Sequence, residues 1–448
     1  MIMRTILRRL SYNKLLVLGF ASIITLGALL LMLPVSTRDG SSTGAINAFF
    51  TATSATCVTG LSVYDTYSHW SVFGQAVILT MIQVGGLGFM TFICMLSIIV
   101  HRKMSLSERR FLVQSYGQMH LQGIRQTLRN ILIGTAAFES CGAIILSIRF
   151  CPKMGLAEGI GNAVFHSVSA FCNAGFDLMG KYGKFSSLIA FADDKTVLLT
   201  IASLIIIGGI GFPIWIDLVH NGIKFKSYEL HSKVVLTTTA ILIVLGTVFF
   251  YLTEYTGVFA HMSIGDRLCA AFFQAITPRT AGFSAIDQSA LSDSGTVMTV
   301  LYMLIGGSPA STAGGIKTTT IAVVLLGTAA SVRNNEGIYI FKKRLDNRMI
   351  TQACSILTIY CFAVLVSGIA LSLIEGLPYK SIIYEVVSAV GTVGLSTGIT
   401  PGLSAASRVI ILLLMFFGRI GGLSLIMAMA ERRKPVPLER PTEKILLG

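Results

Sequence analysis

From Ser71 to Val100 the chain runs 30 residues without one acidic or basic side chain. A stretch that long and apolar reads as a membrane helix, because lipid offers no partner for charge or for open backbone. Six further apolar runs read the same way, two of them with a single charge (Glu139, Arg419): Leu15 to Leu33, Asn130 to Ile148, Thr196 to Ile216, Val234 to Thr253, Met349 to Ile374 and Val409 to Ala430. Only 12% of the 448 residues are charged, against about a quarter in soluble domains. The expectation is therefore an all-α, polytopic membrane protein. Leu15 to Leu33 is too long for a signal-peptide core and no small-residue cleavage site follows it, so a cleavable signal is not expected.

The formal charge of +14 is placed like a membrane protein's, not like a nucleic-acid module's. Of the 35 Lys and Arg, 23 lie in segments 1–14, 101–129, 221–233, 333–348 and 432–448. The intervening connections carry the acids Asp39, Asp65, Glu158, Asp177, Asp193, Asp194, Asp266, Asp287 and Asp293. Positive-inside bias then puts both termini in the cytoplasm. The stretch from Arg102 to Arg129 suits either the anionic leaflet or a docking partner. The eight cysteines show no metal or disulfide spacing and read as packing residues.

Between the spans lie shorter apolar runs: Ala45 to Ala55, Ile160 to Phe171, Arg267 to Ile276 and Ser381 to Val390. Eleven helical residues cover roughly 16 Å, half a bilayer, so these runs dip in rather than cross. Each is followed by a related loop. The four are Thr56-Cys57-Val58-Thr59-Gly60-Leu61, Asn173-Ala174-Gly175-Phe176, Thr280-Ala281-Gly282-Phe283 and Thr392-Val393-Gly394-Leu395. Their glycines fall 115, 107 and 112 residues apart. That period implies four tandem span–half-helix–loop–span units, 1–103, 104–222, 223–333 and 334–448 with its C-terminal tail. Eight transmembrane helices and four re-entrant loops would then surround one pseudo-four-fold pore. A ring of loop carbonyls replaces the hydration shell of a monovalent cation. The candidate ion-binding residues are those of the four loops from Thr56 to Gly60, Asn173 to Gly175, Thr280 to Gly282 and Thr392 to Gly394.

The return spans carry glycine clusters at Gly85-Gly86-Leu87-Gly88, Gly208-Gly209-Ile210-Gly211, Gly306-Gly307 and Gly418-Arg419-Ile420-Gly421-Gly422. In the first two units these read as close helix contacts. The third return run, Ser294 to Val332, is 39 residues long, about 58 Å as continuous helix and too long for one crossing. Its middle, Gly306-Gly307-Ser308-Pro309-Ala310-Ser311-Thr312-Ala313-Gly314-Gly315, is a poor helix. It reads as an intramembrane loop on the cytoplasmic side of the filter, placed to gate the path. A phosphate-binding loop does not fit, since Gly315-Ile316-Lys317-Thr318 lacks the adjacent Gly-Lys. Arg419 lies mid-span and marks a functional site. It either faces the pore, where it repels cations or holds the third-unit loop by its carbonyls, or it pairs with Glu139 or Glu385. Lys317 either makes a gating contact or snorkels to the interface. His166 reads as a packed histidine, Gln83 and Glu139 as interhelical partners, and Asp217 as an interfacial residue at a helix end.

The four loops, the broken third return span and Arg419 together resemble the Trk/Ktr/HKT superfamily of potassium transporters, over essentially the whole chain. The size is similar to the bacterial Ktr membrane subunits of the KtrB/KtrD type. That resemblance implies a potassium-uptake subunit, with Na+ as a possible activator and no cofactor bound by this chain. It implies a homodimer in the cell membrane, seated on a cytoplasmic RCK-type nucleotide-binding ring of the KtrA/KtrC kind. Within the family a serine in place of the first filter glycine accompanies sodium selectivity; here all four positions are glycine, which favours potassium. Cys57 and Cys172 depart from the residues usual there. No HExxH motif or membrane aspartate pair suggests an enzyme. A sodium- or proton-coupled symporter is the alternative; its usual inverted repeats differ from the single orientation expected here.

Overall fold

The computed structural model describes residues 12–88, 124–334 and 337–429. The basic segments 101–123 and 432–448, most of 1–14 and the end of the first return span, 89–100, lie outside the described residues, as does the expected unit boundary at 103/104.

One pattern of elements recurs four times. The first pass is α1 (Tyr12–Leu31), α2 (Ala45–Thr56) and α3 (Val72–Leu87). The second is α4 (Ile124–Met154), α5 (Leu156–Phe171) and α6 (Lys195–Gly209), continued by α7 (Phe212–Asn221). The third is α8 (Leu230–Thr253), α9 (Ile264–Ile276), α10 (Asp293–Leu304) and α11 (Thr318–Val332). The fourth is α12 (Asn347–Glu375), α13 (Tyr379–Gly391), α14 (Ala405–Ile420) and α15 (Gly422–Met429). A two-stranded antiparallel hairpin, β1 (Tyr339–Ile340) with β2 (Lys343–Arg344), joins the last two passes.

The sequence starts each return helix in the same way. Ser71, Asp194, Ser292 and Ser404 each accept a bond from a backbone amide of the first turn of α3, α6, α10 and α14. Such caps satisfy amides that a helix start leaves open. The second helices of the passes have 12, 16, 13 and 13 residues. At about 18–24 Å they are too short to cross the hydrocarbon layer. Among the described residues α1, α4, α8 and α12 are each long and apolar enough to do so.

Two return spans expected to be continuous are not. Thr196 to Ile216 breaks between α6 and α7 with a bend of 93°, and Val409 to Ala430 breaks between α14 and α15 with a bend of 94°. The cause is a glycine three residues into each cluster, Gly211 (φ +101°) and Gly421 (φ +89°), in backbone territory a Cβ disfavours. Gly88, which ends α3, shares it at φ +87°. The third return span breaks as expected, leaving residues 305–317 between α10 and α11.

Packing closes these passes into a ring. α3 lies against α5, α6 against α9, α10 against α13, and α14 back against α2. Arg408 on α14 donates to Asn47 on α2 at 2.7 Å across the closing seam. Within a pass, the return helix meets the end of its own short helix through a glycine. A Cβ on Gly85, Gly208 or Gly418 would strike the carbonyl oxygen of Thr56, Phe171 or Val390. Gly208→Val is therefore expected to cost about 1–3 kcal/mol by overpacking, seen as a lowered melting temperature of the purified protein. Gly161→Ala, where a Cβ meets nothing within 4 Å, should leave that melting temperature unchanged or raise it.

Candidate functional site

Each short helix ends in the same backbone figure. A left-handed residue follows it, Val58 (φ +58°), Asn173 (φ +58°), Thr280 (φ +70°) or Thr392 (φ +52°). Two residues on stands a left-handed glycine, Gly60 (φ +95°), Gly175 (φ +69°), Gly282 (φ +75°) or Gly394 (φ +94°). The residue between them turns its amide back into the helix. Thr59, Ala174 and Val393 donate at 2.8 Å to the carbonyls of Ser54, Ser169 and Ser388, and Ala281 donates at 2.9 Å to that of Thr277.

The four loops meet. A Cβ on Gly60 would sit 2.6 Å from the carbonyl oxygen of Ala174, and one on Gly175 would sit 2.8 Å from that of Ala281. One on Gly282 would strike the Val393 oxygen, and one on Gly394 the Thr59 oxygen, which closes the circle. The oxygens of Thr59, Ala174, Ala281 and Val393 belong to residues with no exposed surface, and none receives a hydrogen bond among the described residues. Buried carbonyls are otherwise almost always paired. All four glycines line one cavity of about 210 Å³, together with Asp65, Asp177 and Asp287. Elsewhere, Lys181 donates to Glu158 at 2.9 Å and holds that carboxyl below its ordinary range.

Against the other side of the loops lies the segment 305–317. Its neck is pinned by Gly306 donating to Ile316 at 2.8 Å and Thr318 donating to Gly307 at 3.1 Å. Ser308 and Thr312 donate backbone amides to Gly209 and Gly208, and the Thr312 hydroxyl donates to the Phe171 carbonyl at 3.1 Å. A Cβ on Gly314 would strike Thr392, and one on Gly315 would lie 2.9 Å from the Gly391 oxygen. Pro309 and Ala310 sit against Gly211, with Phe212 donating to Ala310 at 3.0 Å. The Ser311 hydroxyl stays within the segment, donating to Ser308 at 2.6 Å.

Arg419 reaches this segment rather than an acid. Its guanidinium donates to the carbonyls of Thr312, Gly85 and Gly86, the last at 3.1 Å. Pairing with Glu139 or Glu385 is thus not what the structure shows. Glu139 takes both its bonds from Gln83, at 3.0 and 3.2 Å, and Glu385 accepts from Thr400. Lys317 does not snorkel: its ammonium folds back onto the carbonyls of Ala313 at 2.6 Å and Gly314 at 3.3 Å. His166 is packed, with Nδ1 2.7 Å from the Asn162 carbonyl. Cys57 and Cys172 are buried behind the first two loops, Cys172 donating to Gln83 at 3.5 Å.

Sequence reasoning passed over the residues that shape the loops from behind. Ser54, Ser169 and Ser388 each stand six residues before a loop glycine and each precede an alanine, a Ser-Ala repeat visible in the sequence. The hydroxyls of Ser54 and Ser388 accept from the amides of Gly60 (3.0 Å) and Gly394 (3.1 Å), and that of Ser169 donates to Phe176 at 2.7 Å. In the third pass Thr277, one place later, donates to Phe283 at 2.5 Å.

Residues 19–435 match the family model TrkH, described as a cation transport protein. The chain belongs to the TrkH family. It is 40% identical to the Ktr system potassium uptake protein B of Bacillus subtilis over 94% of each chain. It is 37% identical to the potassium/sodium uptake protein NtpJ of Enterococcus hirae over 98% of each. The crystal structure of the potassium transporter TrkH from Vibrio parahaemolyticus superposes with a TM-score of 0.75 at 17% identity, covering 92% of this chain and 83% of that one, and shows the shared all-α membrane fold. The resemblance read from the loops, the broken span and Arg419 is borne out at the level of the family.

Arg419→Met leaves three buried carbonyls without their donor. At about 1–3 kcal/mol for each unsatisfied group, the variant is expected to melt at a lower temperature than the parent, measured on purified protein in detergent.

Proposed function

We propose that this chain is the membrane subunit of a potassium-uptake system and that K+ passes, stripped of water, through the ring at Gly60, Gly175, Gly282 and Gly394. The observation that carries this reading is the set of four buried, undonated carbonyl oxygens at Thr59, Ala174, Ala281 and Val393. Oxygens of that kind can stand in for a hydration shell. The acidic cavity next to them would gather cations from outside. The names of the Bacillus and Enterococcus relatives, potassium and potassium/sodium uptake proteins, support the same ion class.

In this reading the four passes are the units 1–103, 104–222, 223–333 and 334–448. Both termini face the cytoplasm, and segment 305–317 is a gate held shut by Arg419. The chain works in the cell membrane as a homodimer on a cytoplasmic nucleotide-binding ring; the word system in the relatives' names supports the presence of further subunits. A sodium-coupled mode is favoured by one observation, the potassium/sodium name of NtpJ.

Expression in a host lacking potassium uptake should restore growth at low potassium. Gly60→Ser should keep transport but lose preference for potassium over sodium, since the new Cβ lands on the Ala174 carbonyl. Equal discrimination by parent and variant in ion-uptake assays would count against the ring. Uptake that vanishes without sodium would favour the coupled mode.

Deleting Ser308 to Gly314 should raise basal flux in proteoliposomes. A deletion variant that folds and stays closed removes the gate from the proposal.

A further inference from the structure

A second, much smaller cavity of about 10 Å³ lies beside the third loop, lined by Asn173, Thr239, Ile276, Arg279 and Gly307 among others. That is about the room one water-sized occupant needs. Two of its walls carry unpartnered polar atoms. Arg279 is 7% exposed, and its Nε has no hydrogen-bond partner. Its side chain makes no ion pair among the described residues. Thr239 is 6% exposed, with its hydroxyl equally unpartnered.

Arg279 stands out within this chain, while unpartnered threonine hydroxyls recur at Thr53, Thr56, Thr59, Thr135, Thr392 and Thr397. Arg419, half-buried, spends its donors on three carbonyls, and Arg149 pairs with Asp194 at 2.8 Å. On the same helix as Thr239, Thr247 and Thr253 donate to the carbonyl four residues back, at 2.7 and 2.9 Å. Thr239 keeps its hydroxyl free of that bond. A guanidinium stays charged in proteins, and a buried, unpaired charge is among the costliest groups a fold can hold. Water would satisfy the donors but would leave the charge uncompensated. A small anion does both.

We propose that this cavity binds one monovalent anion of the chloride class, held by the Arg279 guanidinium and the Thr239 hydroxyl. The ion would touch three elements at once: the third loop beside Thr280, α6 at Gly209, and the segment 305–317 at Gly307. It would also screen the positive field of Arg279 from a cation in the neighbouring ring. The site does not depend on how cations cross the protein, and its test is read by anion binding rather than by flux.

The full-length protein is crystallised with bromide replacing chloride, and anomalous scattering is collected at the bromine edge. A peak within hydrogen-bonding distance of Arg279 and Thr239, lost in Arg279→Gln and weakened in Thr239→Val, is the expected result. In solution, replacing gluconate by chloride should raise the melting temperature of the parent and leave that of Arg279→Gln unmoved, because only the parent gains from ligand binding. No bromide peak in the parent, an ordinary water there, or a peak that survives Arg279→Gln each overturns the proposal. Should Arg279→Gln fail to fold, Thr239→Val and the parent halide series decide: a melting temperature indifferent to chloride rejects the site.

Discussion

Main chain touching main chain, with no side chain between, is the contact on which this architecture rests. It occurs at two levels. Gly85, Gly208 and Gly418 let the return helices settle onto the terminal carbonyls of the short helices, and Gly60, Gly175, Gly282 and Gly394 let four loops crowd together. A methyl group at any of these places would meet an oxygen at less than a van der Waals distance. The ordinary cost of glycine in a helix, about 1 kcal/mol, is offset by backbone approaches that no other residue permits. The left-handed angles at the loop glycines add a second, independent requirement for the same residue.

Held this way, the loops need support from behind, and the supports are polar side chains of the short helices. Ser54 and Ser388 take the glycine amides, while Ser169 and Thr277 fasten the chain just beyond the glycine. These bonds spend the donors of the loops on the scaffold and leave four carbonyl oxygens with none. Rigidity and an unsatisfied acceptor ring are thus two results of one arrangement.

Much of this was legible in the sequence. The apolar runs, the half-length helices, the period of the loop glycines and the break in the third return span all follow from charge, length and helix propensity, which are local properties. The bends after Gly209 and Ile420 were missed because glycine clusters in apolar runs serve packing and breaking equally well; only the φ values of Gly211 and Gly421 separate the two. For Arg419 the sequence left two partners open, the carbonyls of the third-unit loop or an acid, and the structure shows the first, at Thr312; which of the two, and the added contacts with Gly85 and Gly86, were out of reach. Proximity to Thr312 and to Gly85 depends on how the first, third and fourth passes come together, and backbone carbonyls leave no mark in a sequence. The Ser-Ala pair before each of three loops was readable but sits inside apolar helices, where small residues usually signify packing alone.

Carrying four related passes on one polypeptide has a stoichiometric consequence. Arg419 stands where the first and second passes have Gly86 and Gly209, and the segment 305–317 interrupts only one return span. In an assembly of four identical chains, either feature would appear four times around the axis. Four guanidiniums would repel one another, and four inserted segments would compete for one volume. On one chain each pass is free to differ from the others, so a single strap and a single clasp can serve an otherwise near-symmetric bundle.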